Sequence, residues 1–247
     1  MNDSPFSLEN KTILVTGASS GIGRAAAILC SEMGATLVLC GRDIERLHAT
    51  QAALAGSGHT IIAGDLTDPD ARHTLVDAVP VLDGCVFSAG VAALVPMRMV
   101  SERYMQTQFA VNYEAPVMLT QRLLSKKKIN NHASLVYVSA RAEHIAPPAT
   151  GIYCGVKAAL TATVRTIALE YAKQGIRANC VSPGYVNTPM LDKLQGGAAL
   201  NLEFAPLGVI DPGEVANGIV YLLSPASRWV TRSSLIIDSG LSLGARG

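Results

Sequence analysis

The stretch that decides the fold is Thr12-Ile-Leu-Val-Thr-Gly-Ala-Ser-Ser-Gly-Ile-Gly23, near the start of the chain. Its first five residues form the kind of near-continuous apolar run that is typical of a strand buried on both faces of a parallel sheet. A glycine-rich turn follows, and a helical pattern over residues 22–33 begins at once. Glycines in such a turn let a pyrophosphate approach the helix N-terminus, where free N–H groups and the helix dipole attract negative charge. The sequence therefore predicts a dinucleotide-binding loop with the contacts Gly17, Ser19, Ser20, Gly21, Ile22 and Gly23. The alternative is a structural turn, because glycine also punctuates chains.

The alternation of strand and helix continues along the chain. Strands are predicted at residues 12–16, 36–40, 60–63, 84–88, 134–138, 178–181 and 235–237. Helices are predicted at residues 22–33, 44–54, 69–79, 102–127, 153–173 and 212–223. This repetition implies right-handed crossovers and an α/β fold with a doubly wound parallel sheet. Because no change of composition marks a second domain, residues 1–247 are predicted to form a single dinucleotide-binding and catalytic domain, with a substrate lid at 188–208.

The composition excludes several classes of protein. The net charge of +1 and the 16% of charged residues create no field that favours nucleic acid or an anionic membrane surface. The 49% of hydrophobic residues form no run that approaches the ~20 residues a membrane helix needs, and no signal peptide is visible. The five cysteines form no CxxC pair and show no ligand spacing with the histidines. We therefore predict no metal site, reduced buried thiols and a cytoplasmic location.

The ends of the second and third strands bear on the choice of cofactor. Arg42 follows the second strand, where no carboxylate is present to bind the ribose 2′-hydroxyl of NAD, whereas its guanidinium can pair with a 2′-phosphate. Arg42 therefore predicts a preference for NADP(H), unless it only begins a solvated turn. After the third strand, Asp65 and Leu66 are predicted to lie at the adenine, with Asp65 accepting a hydrogen bond from the amino group. The alternative is that Asp65 caps the next turn.

Tyr153 and Lys157 are the residues to which the sequence assigns the chemistry. They are four residues apart in a helical pattern and therefore share one face of the helix. A neighbouring ammonium stabilises a phenolate and lowers the pKa of the phenol from about 10. The phenol can then exchange a proton with an alcohol or a carbonyl near neutral pH. We therefore predict that Tyr153 is a general acid/base.

The motifs taken together resemble the short-chain dehydrogenase/reductase family, and the resemblance runs from Lys11 to about Gly240. The segments that carry it are residues 16–23, Asp65-Leu66, Ala89-Gly90, Asn112, Val138-Ser139, Tyr153–Lys157, Asn179, Pro183-Gly184 and Thr188. The chain is similar to the bacterial 3-oxoacyl-carrier-protein reductases of that family. The resemblance implies a Rossmann-like sheet of about seven strands in the order 3-2-1-4-5-6-7. It also implies a nicotinamide cofactor and, commonly, a homotetramer.

The resemblance also implies the roles of individual residues. Tyr153 resembles the proton donor and acceptor, and Lys157 resembles the residue that tunes it and binds the nicotinamide ribose. Asn112 resembles the residue that holds a relay water, and the alternative is a polar residue making a local helix bond. Further cofactor contacts are implied at Ser88, Ala89, Gly90, Pro183, Gly184, Val186 and Thr188.

The chain departs from the family pattern at two positions. Ser88 stands where the family usually has asparagine, and a hydroxyl lacks the paired donor and acceptor of an amide. The family's catalytic serine usually lies thirteen residues before the tyrosine, where this chain has Ala140, and Ser139 lies fourteen before. Either Ser139 takes the role or the role is vacant, and adjacent side chains of a strand point to opposite faces. We predict that Ser139 takes it, with a structural strand-end serine as the alternative.

These residues predict an NADP(H)-dependent oxidoreductase that moves a hydride between nicotinamide and a carbonyl compound or secondary alcohol. Its predicted partners are that small molecule and further copies of the chain, in a tetramer or dimer, and not nucleic acid or a membrane. One alternative is a catalytically weakened NADP(H)-binding regulatory or assembly subunit, which Ala140 and Ser88 motivate. Another is a structural module whose glycine loop binds nothing.

Overall fold

A computed structural model of the chain describes residues 4–195 and 205–241. In these residues seven parallel strands form one sheet in the order β3-β2-β1-β4-β5-β6-β7. This confirms the predicted class, the strand number and the strand order. The strands are β1 Thr12–Thr16, β2 Thr36–Gly41, β3 Thr60–Ala63, β4 Leu82–Phe87, β5 Ile129–Val138, β6 Arg177–Pro183 and β7 Ser234–Ile237.

Helices cover both faces of the sheet, which explains why the strands are apolar at nearly every position. In β1, Ile13 and Val15 pack into one buried cluster with the helices at residues 21–32 and 212–223. Leu14 between them packs into a second cluster, on the other face, with the helices at residues 69–78, 115–125 and 151–170. The helices are α1 Gly21–Glu32, α2 Ile44–Gln51, α3 Pro69–Ala78, α4 Glu102–Phe109, α5 Ala115–Ser125, α6 Ala142–Ile145, α7 Gly151–Glu170, α8 Pro189–Gln195 and α9 Pro212–Leu223.

The helix predicted over residues 102–127 is not continuous. A wider π-helical turn, Ala110–Glu114, separates α4 from α5. Pro116 stands at the start of α5 and has no N–H to donate to the carbonyl four residues earlier, at Asn112, which favours a local change of helical pitch. The long periodic pattern thus predicted the helix but not its interruption, which places Asn112 in the widened turn.

Strand β5 begins earlier than the sequence predicted. Only residues 134–138 are apolar enough to indicate a strand, yet pairing with β4 begins at Ile129 and is irregular between Leu82 and Gly84. The first half of β5 is polar and mostly exposed, so its hydrophobic pattern gives no signal. Its pairing is set by the neighbouring strand.

Helix α7 is apolar along its whole length. Among the described residues it is the one helix whose length and composition would allow it to cross a membrane, which the sequence reading had not singled out. Its buried side chains, among them Leu160 and Val164, pack in the core cluster beneath β5 and β6. The apolar character of α7 is therefore accounted for by its position between the sheet and its neighbouring helices.

Candidate active site

A cavity of about 580 Å³ lies at the carboxyl ends of the parallel strands, the edge at which doubly wound sheets bind their ligands. It brings together nearly all of the predicted site residues, although they come from the ends of six strands and from the helical segments that carry Asn112, Tyr153 and Lys157. Those that line it are Gly17, Ser19, Ser20, Gly21, Ile22, Arg42, Asp65, Leu66, Ser88, Ala89, Gly90, Asn112, Ser139, Tyr153, Lys157, Pro183, Gly184, Val186 and Thr188.

Gly17 and Gly23 shape the turn after β1 for steric reasons. Gly17 has a φ of +68°, and a Cβ there would lie 2.8 Å from the backbone nitrogen of Ala89. A Cβ on Gly23 would lie 2.3 Å from the carbonyl oxygen of Gly17. Gly23 is not among the residues that line the cavity, and its contact with a cofactor stays a prediction. It is needed because α1 begins so close to the turn that no side chain fits between them.

The N-terminus of α1 lies at the same cavity without a side-chain cap. Ser20 stands at the N-cap position but makes no capping hydrogen bond, and the first turn has no acidic residue. Helices α2, α3, α4 and α9 each begin with an aspartate or serine whose side chain accepts a backbone N–H. At α1 the free N–H groups and the positive end of the dipole are therefore available to an anionic ligand.

Arg42 and Asp65 lie at the end of the cavity formed by β2 and β3. Nη1 of Arg42 is 3.8 Å from Oδ2 of Asp65, and both side chains are largely exposed, so the pair adds little to stability. Oδ1 of Asp65 accepts hydrogen bonds from the N–H and the hydroxyl of Thr67, which is the turn-capping alternative named above. Burial raises the pKa of Asp65, but the Thr67 bonds and the charge of Arg42 outweigh it and leave the pKa below its usual value.

Ser88 is joined to β1 through its backbone. Oγ1 of Thr16 accepts the N–H of Ser88 at 3.1 Å and donates to the carbonyl oxygen of Val86 at 3.3 Å. Thr16 is buried at the end of β1. The connection between β1 and the segment after β4 therefore does not depend on an amide side chain at position 88.

Asn112 is buried in the π-helical turn and is held on both sides of its amide. Its Oδ1 accepts the N–H of Val91 at 3.1 Å, and its Nδ2 donates to the carbonyl oxygen of Val91 at 2.9 Å and to Gln108. A Cβ on Gly90 would lie 2.9 Å from Asn112 Oδ1 and 3.9 Å from Lys157 Nζ. Asn112 therefore fixes the segment after β4 beside Lys157, in addition to making the local helix bond. Its role toward a relay water stays a prediction.

Helix α7 carries Tyr153 and Lys157 one turn apart. Nζ of Lys157 lies 5.8 Å from the centre of the Tyr153 ring and donates a 2.8 Å hydrogen bond to the carbonyl oxygen of Val138, at the end of β5. Lys157 is buried, and burial lowers its pKa to about 8. The ammonium is therefore still largely charged at neutral pH, but it is within reach of losing its proton.

The pKa of Tyr153 is raised, first by burial and then by the proximity of Cys154 and Glu143. This is opposite to the lowering of the pKa expected from Lys157 alone, because burial of the phenol outweighs the effect of the ammonium. A phenol with a raised pKa keeps its proton at neutral pH. It can therefore act as the acid that donates to a carbonyl oxygen.

Ser139 borders the cavity, but its hydroxyl is directed to other partners than Tyr153. Ser139 Oγ donates to Oε2 of Glu143 at 2.8 Å, and lies 3.0 Å from Oγ1 of Thr161 and 3.4 Å from the carbonyl oxygen of Lys157. Ala140, the next residue, lines the cavity without a hydroxyl. These bonds favour the alternative of a structural strand-end serine, and the catalytic role of Ser139 stays a prediction. The position that the family fills with serine holds a methyl group.

The loop after β6 meets the glycine turn across the cavity. The methyl group of Thr188 would lie 3.0 Å from a Cβ on Gly21, and Gly184 lies against the backbone of Asp238 after β7. Helix α8 begins directly after Thr188. Of the lid predicted at 188–208, residues 196–204 lie outside the described part of the chain.

The cavity also contains apolar residues that were not predicted as individual site residues, although two of them, Leu191 and Leu194, lie in the predicted lid at 188–208. They come from four separate segments of the chain, so no local pattern could have identified them as neighbours. They are Leu94, Ile145, Pro147, Pro148, Leu191, Leu194 and Leu241. These side chains give the cavity an apolar wall, which is typical of a site for an organic substrate. In residues 4–195 and 205–241, no three potential ligands from His, Cys, Asp and Glu are grouped to hold a metal ion.

Comparisons with known proteins agree with this geometry. A family described as "Enoyl-(Acyl carrier protein) reductase" matches residues 17–242. The 3-oxoacyl-(acyl-carrier-protein) reductase FabG of Rickettsia felis is 28% identical, over 95% of this chain and 98% of its own. Glucose 1-dehydrogenase of Gluconobacter oxydans is 31% identical, over 94% of this chain and 92% of its own.

A solved structure from Brucella melitensis, titled short-chain dehydrogenase/reductase SDR:Glucose/ribitol dehydrogenase, superposes with a TM-score of 0.88 at 30% identity. The match covers 96% of this chain and 98% of that one. The chain thus matches these proteins over nearly its whole length. The matched part includes the seven-stranded sheet, the uncapped N-terminus of α1 and the Tyr153–Lys157 pair. The protein belongs to the short-chain dehydrogenase/reductase family of oxidoreductases.

Proposed function

We propose that the protein is an NADP(H)-dependent oxidoreductase that interconverts a carbonyl compound and its secondary alcohol, with Tyr153 as general acid/base. The observation that carries the proposal is that Tyr153 and Lys157 line the same cavity as the uncapped N-terminus of α1. One cavity thus contains an anion-binding end and a proton-transfer end. In this proposal residues 1–247 act as one unit, and the segment 188–208 covers the substrate.

The residues of the cavity fit a nicotinamide dinucleotide. The free N–H groups of α1 suit its pyrophosphate, Arg42 suits a 2′-phosphate, and the buried ammonium of Lys157 suits a ribose hydroxyl. When bound, the cofactor supplies or accepts the hydride. The role of this chain is then to bind and orient both reactants and to move one proton.

Tyr153 moves that proton. In reduction the phenol, protonated because of its raised pKa, donates to the carbonyl oxygen, and in oxidation the phenolate takes the proton from the alcohol. Lys157 stabilises the phenolate that reduction leaves behind. Its bond to the carbonyl oxygen of Val138 holds the ammonium at the end of β5. The hydrogen bonds between Asn112 and Val91 hold the segment after β4 in place at the cavity.

The preference for NADP(H) rests on Arg42. Its side chain is 70% exposed and stands at the cavity where β2 ends. Its nearest carboxylate, Asp65, is 3.8 Å away and is occupied by Thr67. The guanidinium is therefore available for two parallel hydrogen bonds to a phosphate, which a lysine or a neutral side chain would not provide.

A catalytically weakened NADP(H)-binding subunit is the second candidate, and Ala140 is the observation that favours it. A hydroxyl at this position would steady the substrate oxygen, and the loss of one such donor costs on the order of 10²-fold in rate. The intact pair of Tyr153 and Lys157 favours the enzyme, because a subunit that only binds cofactor needs no proton donor in a buried site.

We further propose that the protein forms a homotetramer or dimer in the cytoplasm. Several large apolar side chains of the described residues remain exposed on the single chain, Trp229 at 88% and Leu169 at 59% among them, and contacts between copies would bury them. The five cysteines are all free and buried, which suits a reducing compartment. Light scattering tests the assembly, because a particle of 25.8 kDa would contradict it.

The activity is tested with a panel of carbonyl compounds that includes keto-acyl thioesters, keto-sugars and steroid ketones. Each is assayed with NADPH and with NADH, and binding of each cofactor is measured by fluorescence. We expect turnover that is faster with NADPH and that is abolished in Tyr153→Phe. NADPH binding without turnover of any compound would favour the non-catalytic subunit, and absence of binding would overturn both candidates.

A further inference from the structure

Glu143 is a carboxylate buried directly behind the catalytic helix. Its side chain is only 2% exposed, although it follows closely on the end of β5 in the four-residue helix α6. Oε2 accepts hydrogen bonds from Oγ of Ser139 at 2.8 Å and from Oγ1 of Thr161 at 2.7 Å. One carboxylate oxygen thus accepts two hydroxyl donors. A buried negative charge next to the active site therefore needs a reason.

The contacts of Glu143 connect the strand end to the helix that carries the catalytic pair. Thr161 is one turn beyond Lys157 on α7, and Ser139 is 3.4 Å from the carbonyl oxygen of Lys157. Lys157 in turn donates to Val138, the residue before Ser139. The hydroxyl of Ser139 thus links the carboxylate of Glu143 to the backbone of Lys157, whose ammonium is bonded one residue earlier, at Val138.

We propose that Glu143 is a positioning residue for catalysis: its carboxylate, held by Ser139 and Thr161, fixes α7 against the end of β5 and supplies a buried charge to the site of Tyr153 and Lys157. This inference rests on the proposed function, whose proton donor is Tyr153. It assigns to Ser139 a role different from that of the family's serine, as a ligand of Glu143. The desolvation free energy of the buried Lys157 ammonium is in this way partly offset by the buried charge of Glu143.

The effect on titration has the same sign for both catalytic groups. Burial lowers the pKa of Lys157 to about 8, and the charge of Glu143 opposes that fall. Burial raises the pKa of Tyr153, and Glu143 adds to that rise. Reduction needs the ammonium and the neutral phenol together, so both effects of Glu143 extend the active form to higher pH. When the charge of Glu143 is removed, the alkaline loss of reduction is therefore expected to begin at a lower pH than in the wild-type protein.

Other titratable groups face the same region and have to be separated from Glu143. Cys154 lies on α7 and acts on Tyr153, and Cys180 lies on β6 and acts on Lys157; Glu143 also faces Cys180. Nε2 of His144 is 3.1 Å from Oε1 of Glu143. On the other side, Nε of Arg141 is 3.2 Å from Oδ2 of Asp238, and farther along α7 Arg165 faces Cys180.

The test compares Glu143→Gln, which removes the charge and keeps the shape, with Glu143→Asp, which keeps the charge. The first readout is the pH profile of kcat/KM for NADPH-dependent reduction. The second is the NMR titration of Lys157 in the cofactor-free protein, with carbon-labelled lysine and with Lys157→Met to assign the signal. We expect Glu143→Gln to move the alkaline limb of the pH profile and the titration of Lys157 down by about one pH unit. This is the size of shift that the loss of one nearby unit charge causes in a protein interior.

The controls separate charge from structure. Ser139→Ala removes one hydrogen bond to Glu143 and no charge, and His144→Gln leaves the charge of Glu143 in place. In both variants the alkaline limb of the pH profile is expected to stay at the wild-type pH, whatever the change in kcat/KM. Glu143→Asp is expected to restore the limb. Should Glu143→Gln fail to fold, Glu143→Ala replaces it, with the same shift expected.

An unchanged Lys157 titration and an unchanged limb in the charge-free variant would overturn the inference. A uniform loss of rate at every pH would do so as well, because it would show a structural role alone. Failure of the proposed function is a separate result, because wild-type protein that reduces no carbonyl compound still yields the NMR titration.

Discussion

Nζ of Lys157 lies 5.8 Å from the centre of the Tyr153 ring, one helical turn farther along α7. The spacing follows from the helix, but the orientation follows from the carbonyl oxygen of Val138, which accepts the 2.8 Å hydrogen bond of the ammonium. Helix and strand end together therefore set the geometry of the Tyr153–Lys157 pair.

Replacement of Tyr153 by phenylalanine removes the proton donor and leaves the ring. We expect kcat to fall by about 10³-fold, in the range usual for the loss of a general acid, with NADPH affinity nearly unchanged. Steady-state kinetics and a fluorescence titration measure the two quantities. The matched control is Tyr113→Phe, which loses only the 3.2 Å contact of its hydroxyl with Thr163 and is expected to stay active. Wild-type turnover in Tyr153→Phe would exclude the assignment.

Ala140 lines the cavity at the position where the family resemblance implies a serine. We expect Ala140→Ser to raise kcat by on the order of 10-fold or more, because a new donor would stabilise the developing charge on the substrate oxygen. Ala142→Ser, two residues farther along, is the control and is expected to change kcat little. No gain in Ala140→Ser would mean that another group already holds the substrate oxygen.

Arg42 is expected to decide between the two nicotinamide cofactors. Loss of a charge-assisted pair to the 2′-phosphate in Arg42→Ala should raise the KM for NADPH by about 10- to 100-fold and leave the KM for NADH nearly unchanged. Arg46→Ala serves as the control, because Arg46 pairs with Asp43 at 3.1 Å on the surface of α2. Equal changes for both cofactors in Arg42→Ala would contradict the role.

Two glycines provide a matched test of packing. A Cβ on Gly23 would stand 2.3 Å from the carbonyl oxygen of Gly17, whereas a Cβ on Gly155 would meet nothing within 4 Å. We expect Gly23→Ala to lower the free energy of unfolding by about 1–3 kcal/mol, because it overpacks the turn. Gly155→Ala should raise it by about 0.5–1 kcal/mol, because alanine is the better helix former. Urea denaturation measures both, and equal stabilities would show that the turn can open without cost.

The local sequence predicted the strands in which every residue is buried. The strands that are buried on both faces were found because every residue is apolar, and the order of the strands followed from the family resemblance. The first half of β5 could not be predicted, since residues such as Asn130 and Asn131 are exposed and their pairing depends on β4. The π-helical turn at Asn112 could not be predicted either, because the periodic pattern continues through it.

The candidate site divides in the same way. The sequence by itself determined which residue types are available: a glycine turn before a helix, an arginine after β2, and a tyrosine and a lysine one turn apart. Only the tertiary structure decided which of them act together. It directed the hydroxyl of Ser139 to Glu143 and Thr161 and buried the side chain of Glu143, because these residues come together only when α6 and α7 pack at the end of β5. Burial, which no local pattern records, also reversed the expected shift in the pKa of Tyr153.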